Sequence, residues 1–89
     1  MTLVDHWPVD ITLHAEDRET RADAHMTRND GIKVSGQGIA RRNPEDRRVT
    51  EIGEQIAAAR ALSDLAHKLL SAAAGEIESI THEQARLKL

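Results

Sequence analysis

Residues 50–74, TEIGEQIAAARALSDLAHKLLSAAA, decide the fold. Ile52, Ile56, Ala59, Leu62, Ala66, Leu69 and Ala73 recur at intervals of three and four, which lays one apolar stripe along a helix. At 1.5 Å per residue this stretch predicts a rod of roughly 37 Å. Ordinary strands reach only about 20 Å. The remaining elements are too short to cover such a stripe, so the sequence predicts self-association into a homodimer.

Upstream of the helix the apolar period drops to two. Trp7, Val9, Ile11 and Leu13 alternate with Pro8, Asp10, Thr12 and His14, the pattern of a half-buried strand. Pro8 donates no ladder hydrogen bond and marks a strand start or an edge. Ala15–Arg18 is a polar turn. In a second strand Thr20, Ala22, Ala24 and Met26 share one face and Arg21, Asp23, His25 and Thr27 the other. Asn29-Asp30-Gly31 tolerates positive φ and predicts the next turn. The third strand runs from Ile32 to about Ala40, with Ile32, Val34, Gly36, Gly38 and Ala40 on one face. The bare half of that face suits either a close approach of the helix or a bulge. Gly36-Gln37-Gly38 lacks the third glycine and the lysine of a nucleotide-binding loop.

Asn43-Pro44-Glu45-Asp46 has the order of N-cap, proline and first-turn acids, and predicts one helical turn. Thr50 is then the cap of the main helix, and Gly75 stands where a C′ residue ends one. Ile77, Ile80 and Leu87 suit a short helix over 76–82, followed by an arm. The expected architecture is α+β: a three-stranded antiparallel sheet, one long helix and a short C-terminal helix or arm, in a single domain over residues 1–89.

Composition narrows the function. Of 89 residues, 39% are apolar, but 13 of those are alanine, and Phe and Tyr are absent, so the core depends on few large side chains. Without cysteine there is no disulfide, zinc-thiolate or thiol nucleophile. The first residues have neither a basic nor an apolar signal region, and no apolar run spans a bilayer, which points to the cytoplasm. Net charge is −3, but residues 32–50 carry five basic and two acidic groups, whereas the segments on either side are net acidic. A net-acidic chain is a poor general nucleic-acid binder, so any such contact falls to that basic segment. There Arg41, Arg42, Arg47 and Arg48 offer planar donors to phosphate or carboxylate and form the candidate RNA or partner contact. Their alternative is local pairing with Glu45 and Asp46.

No enzyme is expected. Ser35, Ser63, Ser71 and Ser79 sit in no nucleophile motif, and no carboxylate pair stands out. No cofactor or small-molecule substrate is implied. The five histidines form no helical pair; His14 and His25 meet across a hairpin at best, near Asp23, and are expected as solvated groups rather than metal ligands. Trp7, alone, makes no base-stacking platform. Trp7, Ile52, Ile56, Leu62 and Leu69 are the candidate core or dimer-interface residues.

The run GIARRNPEDRRVTEIGEQIAAARALSDLAHKLL (38–70), with HWPVDI (6–11) and IESITHEQARL (77–87), resembles a small bacterial domain-of-unknown-function family linked to dormancy and hypoxia. The resemblance covers nearly the whole chain, with Thr50 where that family tends to have proline. It implies a compact α+β fold, a homodimer, and a shape similar to ribosome hibernation-promoting factors (dsRBD-like). That in turn implies a stress or dormancy role at the ribosome and ribosomal RNA. The resemblance supplies no catalytic residue.

Overall fold

Each alternating run forms a strand and the long striped run a helix. The computed structural model describes residues 1–89 and orders them as β1 (Val9–Ala15), β2 (Glu19–Thr27), β3 (Lys33–Arg41) and α1 (Thr50–Thr81). The strands form one antiparallel sheet in the order β1-β2-β3. Tight turns join them. Glu16 N–H donates to Glu19 O at 2.8 Å, and Gly31 takes the second turn with φ of 89°.

The register creates a taper. On the face toward α1, Val9 pairs with Met26 and then Val34; Ile11 with Ala24 and then Gly36; Leu13 with Ala22 and then Gly38. In the last two rows side-chain bulk therefore falls from β1 to β3. A helix can approach a sheet closely only where little projects from it, and α1 settles over β2 and β3. Gly36 and Gly38 are buried directly under the helix backbone: a Cβ on Gly36 would lie 2.9 Å from Leu65 Cα, and one on Gly38 would meet Ala57 O and Ala61 N. Of the two roles open to the bare half of β3, this is close approach.

The helix line that packs is Ala57, Ala61 and Leu65, four apart, against Ala22, Ala24, Met26 and Ala40. It is not the stripe of largest side chains. Of that stripe, Leu69 packs against the core, while Ile52 (54% exposed), Ile56 and Leu62 stay exposed. The glycine floor selects the smallest residues of α1, and a periodicity of large residues points to a neighbouring face. No large side chain is fully buried.

The two sheet edges are treated differently. At β3, Gln37 N–H donates to Asp64 Oδ2 at 2.9 Å and Arg60 Nη1 donates to Ile39 O at 2.7 Å, so α1 side chains occupy its outer edge. At β1, Pro8 O accepts from Thr27 N–H at 3.3 Å. Even-numbered residues therefore face β2, and the backbone groups of Val9, Ile11, Leu13 and Ala15 point outward without partners.

Asp64 is held below the usual carboxylate range first by the Gln37 amide and then by Lys68, at 3.2 Å. A depressed folded-state pKa stabilises the fold above the unfolded value and loses that contribution as pH falls through the folded one. Stability should therefore begin to drop as pH passes below about 4, the ordinary aspartate value. Asp64→Asn should flatten that part of a urea-midpoint-against-pH curve.

Three expectations at the ends are corrected. Asn43–Asp46 is one hydrogen-bonded turn, Asp46 N–H to Asn43 O at 2.9 Å, rather than a helical turn. Val49, not Thr50, stands at the N-cap, with no side-chain hydrogen bond. No separate helix covers 76–82. α1 runs through Gly75 and ends at His82, whose left-handed backbone (φ 59°) directs its N–H to Glu78 O at 2.7 Å. Nothing forces a break at Gly75, because no atom lies near its absent Cβ and its φ is not positive. Gly75→Ala should accordingly raise stability by about 0.5–1 kcal/mol in urea titration. The 32-residue helix is about 48 Å long, against about 30 Å for a nine-residue strand, so its last turns overhang the sheet. The following arm folds back, with Ala85 N–H donating to Glu78 Oε1 at 2.8 Å.

Candidate functional site

Because α1 sits over the thin side of the sheet, the thick side is left bare. Every residue of β1 is exposed, including Val9, Ile11 (38%) and Leu13, whose side chains lie on the helix-bearing face. Arg60 and Asp64 bind the β3 edge, so the opposite flank of α1, carrying Leu62 and Leu69, turns toward β1. Strand and flank form one apolar slope. Its far end is fixed by Arg28, which donates to Glu76 Oε1 at 3.0 Å and Asp30 Oδ2 at 2.8 Å and lies 5.9 Å from the centroid of the Trp7 ring. The hydrogen bond to Glu76 raises the Arg28 pKa above its ordinary value. Trp7, Leu62 and Leu69 thus belong to one surface, while Ile52 and Ile56 line a cavity elsewhere.

That cavity, of about 270 Å³, opens where the β1–β2 turn, the connector and the first turns of α1 meet. Arg41, Arg42, Arg47 and Arg48 all line it, and Arg18 joins them from the turn. Arg18 is invisible to a reading by local charge, since only the antiparallel topology brings that turn to the connector. Arg42 is a clamp: its Nη1 donates to Asp46 O at 2.6 Å and its Nη2 to Asp17 O at 3.2 Å. Asp17 also faces Arg48 at 3.7 Å, and Glu19 faces Arg41 at 3.7 Å. The expected neutralisation by Glu45 and Asp46 is thus carried by Asp17 and Glu19 instead. Arg18 and Arg47 take part in no ion pair.

The outer face of the sheet is polar apart from Ile39. His25 Nδ1 lies 2.8 Å from Ser35 Oγ, with Asp10 opposite His25 in register. The row has the residue types of a nucleophile relay, but none of the three lines the cavity at the start of α1 or the one beside the C-terminal arm. His14 sits in another row, 4.0 Å from Asp23, and no three potential metal ligands converge.

Residues 5–86 match the family described as Rv2632c-like. A Mycobacterium bovis relative, Uncharacterized protein Mb1767, is 44% identical over 85 residues, covering 96% of this chain and 89% of its own. Uncharacterized protein Rv2632c of Mycobacterium tuberculosis is 40% identical over 75 residues, covering 84% and 80%. The crystal structure of Rv2632c superposes with a TM-score of 0.82 at 36% identity, over 92% of this chain and 96% of that one.

Proposed function

The chain belongs to the Rv2632c-like family, and from that premise we propose that it works as a non-enzymatic homodimer in the cytoplasm, joined through the slope of β1 and α1. The observation that carries this reading is the bare β1: an apolar row on one side and an unpaired row of backbone donors and acceptors along its edge. Exposed edges invite pairing, and β3 shows how this chain blocks one when it must. A second copy related by a two-fold axis supplies a matching edge and a matching apolar row. The alanine-built core adds a reason, since burying a methyl contributes only about 0.8 kcal/mol. Sedimentation equilibrium at micromolar concentration tests it: a dimer supports the reading, a well-folded monomer removes it.

A second reading is a stress or dormancy role at the ribosome, through Arg41, Arg42, Arg47 and Arg48. What favours it is the gathering of those guanidinium groups at one end, with Arg47 unpaired. No helix is long and apolar enough to cross a membrane. Sucrose-gradient sedimentation of lysate from slow-growing cells separates the two. Co-sedimentation with ribosomal particles supports this role, whereas protein confined to the top fractions ends it and leaves the dimer standing.

A further inference from the structure

Thr20 is 7% exposed, and its hydroxyl, which makes no hydrogen bond within the protein, is reached from the cavity rather than sealed in the core. It lines the cavity at the start of α1, where Gly53 faces it so closely that a Cβ there would lie 2.9 Å from Thr20 Oγ1. A hydroxyl at the wall of an open space with no partner in the protein is free to bond a ligand there. Glycine at position 53 weakens the first turns of the helix relative to alanine, and here it leaves Thr20 unobstructed at the cavity wall.

The rest of the lining defines what fits. Ala15, Ala40, Val49, Ile52 and Ile56 give an apolar floor. Arg18 and Arg47 stand at the wall without carboxylate partners, while Arg41, Arg42 and Arg48 are held by Glu19 and Asp17. The amides of Thr50 and Glu51 also lack acceptors, since Val49 caps α1 with no side chain. Four carboxylates, those of Glu16, Asp17, Glu19 and Asp46, face five guanidinium groups, which leaves the cavity cationic. Its volume, about 270 Å³, falls just below the roughly 300–1,000 Å³ of small-ligand sites, so only a small ligand fits.

We propose that this cavity binds a small organic phosphate of about mononucleotide size, its phosphate held by Arg18 and Arg47 and its planar or apolar body lying on Ile52 and Ile56 beside the Thr20 hydroxyl. The site does not depend on dimerisation, since its lining comes from the end of the sheet where the β1–β2 turn and the connector meet. A phosphate monoester satisfies the free guanidinium groups through charge-assisted hydrogen bonds, and the ligand body dries the floor.

The test uses the full-length protein, with AMP, adenosine and inorganic phosphate as probes, in calorimetry and in amide NMR of Gly53 and Thr20. AMP should bind saturably and shift both amides, inorganic phosphate should bind more weakly, and adenosine should not bind at millimolar concentration. The Arg18→Ala/Arg47→Ala double variant should weaken AMP at least about tenfold, the loss of one charge-assisted contact or more. Gly53→Ala, whose Cβ would press on Thr20 Oγ1, should weaken AMP binding, with circular dichroism on the same sample showing that the fold is kept. Absence of AMP binding, or equal binding by the double variant, overturns the proposal. So does tight binding of duplex RNA, steeply weakened by salt, with AMP silent, because that outcome assigns the arginines to a polyanion.

Discussion

Gly38→Val should leave the protein without a cooperative unfolding transition. A Cβ at this position would meet Ala57 O and Ala61 N of the overlying helix and approach Arg60 Cβ to 2.7 Å. The first two are backbone atoms inside a hydrogen-bonded helix and have no rotamer to change. The clash can only be relieved by lifting α1, and lifting α1 opens the whole of the core, because Ala57, Ala61 and Leu65 are its upper layer. Overpacking a tolerant site costs about 1–3 kcal/mol. Here that strain adds to the loss of apolar contact in a chain whose total stability, at 0.05–0.15 kcal/mol per residue, is only about 4–13 kcal/mol. Gly38→Ala is the milder version and should cost about 3 kcal/mol. Far-UV circular dichroism during urea titration reads both. A Gly38→Val protein with an unchanged midpoint would mean that helix and sheet are farther apart than the geometry requires. Gly75→Ala serves as the opposite control on the same helix, since nothing lies near its Cβ.

The period-two runs were legible because alternation is a property of single residues and needs no knowledge of the partner strand. The sets Thr20-Ala22-Ala24-Met26 and Val34-Gly36-Gly38-Ala40 match the residues that face α1, whereas Ile32, which shares the second alternation, precedes β3 and is exposed. The working face of α1 was not legible in the same way. Apolar periodicity ranks residues by size and so selected Ile52, Ile56 and Leu62. The sheet instead receives Ala57, Ala61 and Leu65, because two glycines on β3 admit only a close contact. Part of the stripe stays uncovered, at Ile52, Ile56 and Leu62, while Leu69 packs on the core, and the reason lies in the taper of the sheet as well as in rod length. Gly75 misled because glycine ends a helix only where the backbone turns left-handed, and that turn falls at His82. At the arginine end, Arg41, Arg42, Arg47 and Arg48 were legible as a local charge run. Arg18, Thr20 and Gly53, which complete the cavity, come from three separate elements and meet only in the folded chain.

Ile11→Asp should convert a dimer into a folded monomer, raising the dissociation constant at least about 100-fold, or about 2.7 kcal/mol. Ile11 lies in the middle of the outward-facing β1 row, on the helix-bearing face, with Val9 and Leu13 on either side. In one copy it is already 38% exposed, so a carboxylate there finds water and the fold loses little. In the proposed dimer a two-fold axis would bring this stretch of β1 against its own copy, and two carboxylates would then face one another in a dried interface. Desolvation and like-charge repulsion both act against association there, whereas neither acts in the monomer. Leu62→Asp approaches the same surface from α1 and should give the same shift. Ile39→Asp, an exposed residue of similar size on the opposite face of the sheet, should leave association unchanged. Sedimentation equilibrium with circular dichroism on the same samples decides the matter. If Ile39→Asp dissociates the protein as readily as Ile11→Asp, the mating face is the outer surface of the sheet, and the bare slope of β1 and α1 has no part in it.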